Sequence, residues 1–220
     1  MKNSLSTIRE KLWIASLLWV LCVPCASAEP AKVLYQNNFE KADLNQVPND
    51  FLVLDGEFAV KESDGNKYLE LPGSPLDTFG VLFGPATNAG ICVGARIYGT
   101  SKGRRAPSFG VGLNGAAGYK LEISPGKNLL EIFKGDNSAA SVPFRWKSGS
   151  WTMFRLRVRP LAGDAWKVEG KAWPQTDPEP KEWMIFLDEE TPPHDGRPSI
   201  WGSPYSGTPI RFDDLLVTAE

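Results

Sequence analysis

Short apolar runs alternate with polar residues along most of the chain, and no long stretch carries the period of a helix. Successive side chains of a strand point to opposite faces, so alternation marks a sheet with one buried side. SWTMFRLRVRP is a clear case. Phe154, Leu156 and Val158 share one parity, which predicts a core face. Trp151, Met153, Arg155, Arg157 and Arg159 share the other, which predicts a solvated or ligand-facing side. AWKVEGKAWP divides the same way, Trp166, Val168, Gly170 and Ala172 against Lys167, Glu169, Lys171 and Trp173. About a dozen such runs, among them KVLYQNNF, GEFAVK, KYLELP, GVLFG, GICVGARIYG, SFGVGLN, EWMIFL, PSIWG and PIRFDDLLV, are bounded by Gly, Pro, Asn and Asp. They predict an all-β fold, a two-sheet antiparallel β-sandwich or jelly roll. PQTDPEP and DEETPPHDGRP read as polar loops. GYKLEISPGKNLLEIFKG reads as a hairpin, and a turn centred on Pro125-Gly126 sets Lys120 opposite Glu131 and Leu121 opposite Leu130.

The alternation fails in two places. At the N-terminus, Lys2, Arg9 and Lys11 precede an apolar run from Leu12 to Val23, then Pro24 and the small residues Ala26, Ser27 and Ala28. This is the layout of a secretory signal peptide over residues 1–28, too short to span a membrane comfortably, leaving a domain at 29–220. At the C-terminus, IRFDDLLV sets Asp213 and Asp214 in an apolar strand. If Phe212 and Leu216 face the core, regular alternation buries Asp214 with them, and an unpaired carboxylate is costly there. A bulge, a turn that hydrogen-bonds the carboxylate, or a bound cation would each resolve the conflict.

Composition narrows the partners. The formal charge is −2, and removal of the basic leader makes the domain more acidic still. That excludes the basic face nucleic acid requires, and predicts no membrane partner once the leader is cleaved. Lys102, Arg104 and Arg105 form one local basic cluster, read as a solvated loop. With Cys22 and Cys25 in the leader, Cys92 is the domain's one cysteine, flanked by Ile91 and Val93 and read as a packing residue. The chain has one histidine, His194, so a zinc site has little support. No G-x-S-x-G elbow or phosphate loop is present.

The order of the pieces resembles the concanavalin A-like lectin/glucanase superfamily, including its laminin-G-like jelly rolls. The pieces are NNFE after the first strand, DGEFAV, the paired GYKLEI and LLEIFKG, the tryptophan-led SWTMFRLRV, GKAW and the closing GTPIRFDDLLV. More distantly the layout resembles 3-keto-disaccharide hydrolase-like domains, without that group's Asn-Ser-Gly segment. The superfamily resemblance implies that the first and last strands pair, which would set Asp213 near Glu40. Related modules hold structural calcium near such a pair. Calcium takes six to eight oxygens, and Glu40 and Asp213 would begin that set; the competing reading is a carboxylate that caps a turn or bulge.

Retaining glycanases of this fold carry glutamates around an aspartate in an E-x-D-x-(x)-E run, which this chain lacks. EWMIFLDEE is the nearest stretch, and its acids are consecutive rather than alternating. No catalytic residue is assigned; Glu122, Glu131 and the Asp188–Asp195 loop are what an enzyme would use. Exposed indoles offer stacking platforms for pyranose rings, although core packing is the commoner fate of tryptophan. Trp173, Trp183, Trp201 and Tyr205, beside loops and a glycine-rich turn, are the candidates. The expectation is an exported domain, secreted or periplasmic, that binds a polysaccharide or oligosaccharide without catalysis. A glycoside-processing enzyme with an unrecognised carboxylate site, and a structural envelope protein, are the alternatives.

Overall fold

The computed structural model describes residues 31–220, so the predicted leader lies outside the described residues. Fifteen strands follow one another: β1 (Val33–Asn37), β2 (Leu52–Asp55), β3 (Ala59–Ser63), β4 (Asn66–Leu71), β5 (Phe79–Leu82), β6 (Ile91–Gly99), β7 (Ser108–Leu113), β8 (Tyr119–Ser124), β9 (Leu129–Lys134), β10 (Asn137–Pro143), β11 (Ser150–Pro160), β12 (Trp166–Pro174), β13 (Ile185–Glu189), β14 (Ser199–Ser203) and β15 (Ile210–Ala219). They form two antiparallel sheets. The eight-stranded sheet runs β13-β12-β11-β6-β15-β4-β3, with β1 beside the second half of β15. The seven-stranded sheet runs β10-β9-β8-β7-β14-β5-β2. This is the predicted sandwich, and the first and last strands pair as the resemblance implied.

The alternation decides which residues meet between the sheets. Phe154, Leu156 and Val158 of β11 are buried in the core, as are Ile91, Val93, Ala95 and Ile97 of β6. Phe109, Val111 and Leu113 of β7, with Leu121 and Ile123 of β8, come from the other sheet. Phe109 meets Phe154 edge-on across the sandwich, ring centres 6.0 Å apart. Cys92 has the opposite parity to these β6 residues. Burial pushes its thiol up to about 12, so it is inert at neutral pH.

Two expectations about register change. The β8–β9 hairpin turns through residues 125–128, where Lys127 N bonds Ser124 O and Asn128 N bonds Pro125 O. Asn128 takes φ +57°, which asparagine tolerates well. The longer turn slides the pairing: Lys120 faces Phe133, Leu121 faces Ile132 and Glu122 faces Glu131. On β15 a bulge falls between Asp213 and Leu216, with Asp214 at φ +49°. Phe212 and Leu215, rather than Phe212 and Leu216, therefore point into the core, and neither aspartate has to.

Candidate functional site

The outer face of the seven-stranded sheet has a bare centre. β7 reads SFGVGL: its apolar residues turn inward, so beyond Ser108 it shows only Gly110 and Gly112 outside. Trp201 of β14 lies between Gly110 on one neighbour and Gly80 of β5 on the other. Its indole lies close on this floor. A β-carbon added at Gly80 would sit 2.6 Å from the six-membered ring, and one at Gly112 would sit 3.1 Å from Nε1. The indole N–H donates to Ser199 Oγ at 2.8 Å, which fixes the ring's rotation. Trp201 stays partly exposed. Toward one end of the same face, Ser203 Oγ lies 2.8 Å from Thr78 Oγ1, which lies 3.4 Å from the hydroxyl of the exposed Tyr205. Trp201 and Tyr205 thus share one face.

On the other flank of the bare strand stand Lys120 and Glu122, and beyond them Glu131. The Lys120 ammonium is 4.8 Å from the centre of the Trp201 ring and 3.6 Å from the fully exposed Asp136. Glu122 faces Gly110 on one side and Glu131 on the other. Burial pushes the Glu122 carboxyl up to about 7; Lys120 opposes the shift and Glu131 adds to it. Burial also acts on Glu131, but hydrogen bonds from Ser124, Ser138 and Lys127 outweigh it and hold that carboxyl below its ordinary value. The Ser124 and Ser138 hydroxyls donate at 2.6 and 2.9 Å, and Lys127 Nζ at 3.2 Å. Two facing glutamates thus have opposite proton preferences.

The outer face of the eight-stranded sheet is built differently. Trp173 is there, only 7% exposed, and Trp183 lies under cations, with Arg157 4.3 Å and Lys171 4.8 Å from its ring centre. Loop 175–184 folds across this side: Lys171 Nζ bonds Pro180 O at 2.7 Å and pairs with Glu179 at 2.8 Å. Glu169 accepts from Arg157 and Arg159 at 2.6 and 2.8 Å. The four aromatic candidates are therefore divided between two opposite faces, and Trp173 and Trp183 cannot join Trp201 and Tyr205 in one platform.

The proposed calcium pair does not form a cation site. Asp213 is fully buried and accepts from Arg96 Nη2 at 2.5 Å and Asn66 Nδ2 at 2.9 Å. Its second oxygen takes the Asp214 N–H at 2.7 Å. Arg96 Nε lies 2.9 Å from Asp214, and its guanidinium stands over Trp151. Glu40 instead accepts the Lys67 N–H at 3.0 Å. A guanidinium occupies the place of positive charge, and among the described residues no three acidic, histidine or cysteine side chains converge as a ligand set. Asp213 and Asp214 are thus carboxylates held at a bulge, with Arg96 answering their charge.

No protein-family model matches the chain, and no curated protein does. Solved structures do match in shape. A carbohydrate binding module, CBM66, from Bacillus subtilis superposes with TM-score 0.54 at 11% identity, covering 77% of this chain and 96% of that one. The Emp46p carbohydrate recognition domain, in a metal-free form, gives 0.57 at 10%, covering 84% and 95%. A xylan beta-1,4-xylosidase from Bacillus halodurans C-125 gives 0.56 at 13%, covering 87% of this chain but 40% of that enzyme. The fold is concanavalin A-like.

Within this concanavalin A-like sandwich, sequence reasoning passed over the floor. The signal is legible in SFGVGL, where glycine takes two of the three outward positions of a strand whose inward positions are Phe109, Val111 and Leu113. A strand interior gains nothing from glycine unless something approaches its backbone. The hairpin's register sets Lys120 opposite Phe133, away from the Glu131 that a tighter turn would give it.

Proposed function

We propose that this domain is exported and binds a polysaccharide or oligosaccharide, without cleaving it, on the outer face of its seven-stranded sheet. One observation carries the reading: the Trp201 indole lies on a floor of Gly80 and Gly112 with its N–H already satisfied, which leaves an apolar ring for a pyranose to cover. Lys120, over the ring at 4.8 Å, and Glu122 beside it are placed to bond hydroxyls. The pairing of Lys120 with exposed Asp136 is weak enough to yield when a sugar ring arrives. Neighbours described as carbohydrate-binding and carbohydrate-recognition modules share the fold and support the reading.

Retention of residues 29–220 on immobilised polysaccharides, competed by free glycan, tests it. Specific retention that falls with Trp201→Ala, without release of reducing sugar, is the expected result. Retention untouched by that substitution would overturn the assignment of the face.

A second reading is catalysis by Glu122 and Glu131. Their opposed proton preferences at one spot favour it, since that is how an acid and its partner carboxylate are set apart. Against it, Glu131 is almost fully buried and both of its oxygens already accept from Ser124, Ser138 and Lys127. Reducing sugar released by the wild type and not by Glu122→Gln would establish the enzyme.

A further inference from the structure

At the end of the sandwich where β7 passes into β8, loops 114–118 and 191–195 border a cavity of about 380 Å³. Tyr119 and Lys134 complete its lining. The volume lies near the small end of the range for ligand sites, room for roughly one or two hexose rings. The two loops are fastened together. Asn114, at φ +63°, donates its amide to His194 O at 3.0 Å and Thr87 O at 3.4 Å. Gly115 N bonds Arg197 O, and Thr87 N bonds Gly196 O. Gly196 packs so closely that an added β-carbon would lie 2.3 Å from the Asn114 carbonyl carbon. The two loops that border the cavity are thus held in place by bonds between them and to neighbouring backbone.

Its chemistry is specific in two respects. Both Asn114 amide partners are carbonyl oxygens, so the amide orientation is fixed. Its Oδ1 is buried without a donor. The lining carries little positive charge: Lys134 is paired with Glu189 at 2.7 Å, and Asp195 adds a carboxylate. Burial raises the Tyr119 phenol above its ordinary value, and neighbouring Glu189 raises it further, so it stays a neutral O–H. Such a lining suits a neutral, hydroxyl-rich ring better than a phosphate or sulfate. Ala117 and Pro193 add apolar surface for its C–H faces.

We infer that this cavity is a second saccharide site, separate from the Trp201 face, which takes one or two residues of a glycan. It rests on the reading of the domain as glycan-binding. A cavity of this volume holds one or two rings, while the open sheet face can follow a longer stretch.

His194 is the chain's one histidine, so its imidazole proton is a unique NMR reporter of the cavity. Titration of the domain with cellobiose, xylobiose, maltose, lactose and mannobiose should move that signal saturably for at least one disaccharide. Ala117→Trp, or Thr191→Trp from the opposite wall, should weaken that response at least tenfold with polysaccharide retention preserved. Trp201→Ala should leave it unchanged. A His194 signal still throughout the panel, or a response indifferent to both fillings, would overturn the site. The two readings fail separately. Retention lost with Trp201→Ala while His194 is silent removes the cavity and keeps the face. A filling-sensitive His194 response without Trp201-dependent retention does the reverse.

Discussion

The two outer faces of this sandwich use the same residue types to opposite ends. On the eight-stranded sheet, Trp183 and Trp151 lie under Arg157, Lys171 and Arg96, whose charges are met by Glu169, Glu179, Asp213 and Asp214. Loop 175–184 closes over part of it. On the seven-stranded sheet one tryptophan lies on glycine, one lysine stands over it, and the lysine's acidic partner is fully exposed. Trp183 and Trp201 both lie under a cation, but the cover of Trp183 is tied to Glu169 and Glu179, whereas that of Trp201 is tied only to a fully exposed aspartate and yields more readily. What a surface aromatic does depends on its floor and its cover more than on its identity.

The sharpest way to break the comparison is to disable one face and read the other. Arg96→Leu leaves Asp213 buried without its cation, and should cost about 3–5 kcal/mol in urea unfolding with glycan retention of the folded fraction unchanged. Glu122 comes next. Its carboxyl keeps a proton up to about pH 7 in the folded domain, against an ordinary value of 4.5. The folded state therefore binds more protons than the unfolded chain between those values, and stability falls as pH rises through that window. Glu122→Gln should remove roughly 3 kcal/mol of that fall, read as the difference between unfolding curves at pH 4.5 and 8. Glu131 has the opposite sign: its contribution is full above its unfolded value and is lost only as pH falls through its depressed one. A smaller effect, about 2 kcal/mol or roughly thirtyfold in glycan affinity, is expected of Trp201→Ala, with little change in the melting curve. Trp183→Ala should lose about 1 kcal/mol of stability through its two cation contacts and leave retention as it was; a fall in retention would show that both faces bind.

Much of the fold was legible because the core writes itself into alternation. Phe154, Leu156 and Val158 could be placed inward from parity alone. β2 and β10 carried no such mark. They are the two edges of the seven-stranded sheet, paired on one side only. β10 is made largely of small polar residues, NSAASVP, while β2 is a mere four residues long. The candidate site was legible only in part. Trp201 and Tyr205 could be nominated by type and by nearby glycine, but parity within one strand does not say which sheet that strand joins. Trp173 and Trp183 were nominated on the same grounds and went to the other face. The facing of Glu122 and Glu131 depended on two residues of turn length, a choice that Pro125-Gly126 alone does not make.

The bulge at Asp213 and Asp214 acts as a change of phase in the last strand. Before it, Ile210 and Phe212 set an even count for inward residues; after it, Leu215 and Val217 set an odd one. The strand's two halves have different neighbours across the sheet, β4 for the first and β1 for the second. Shortening the chain by one residue at the bulge would restore strict alternation and keep Ile210, Phe212, Leu215 and Val217 on the inward side, so the extra residue serves the second aspartate and not the core.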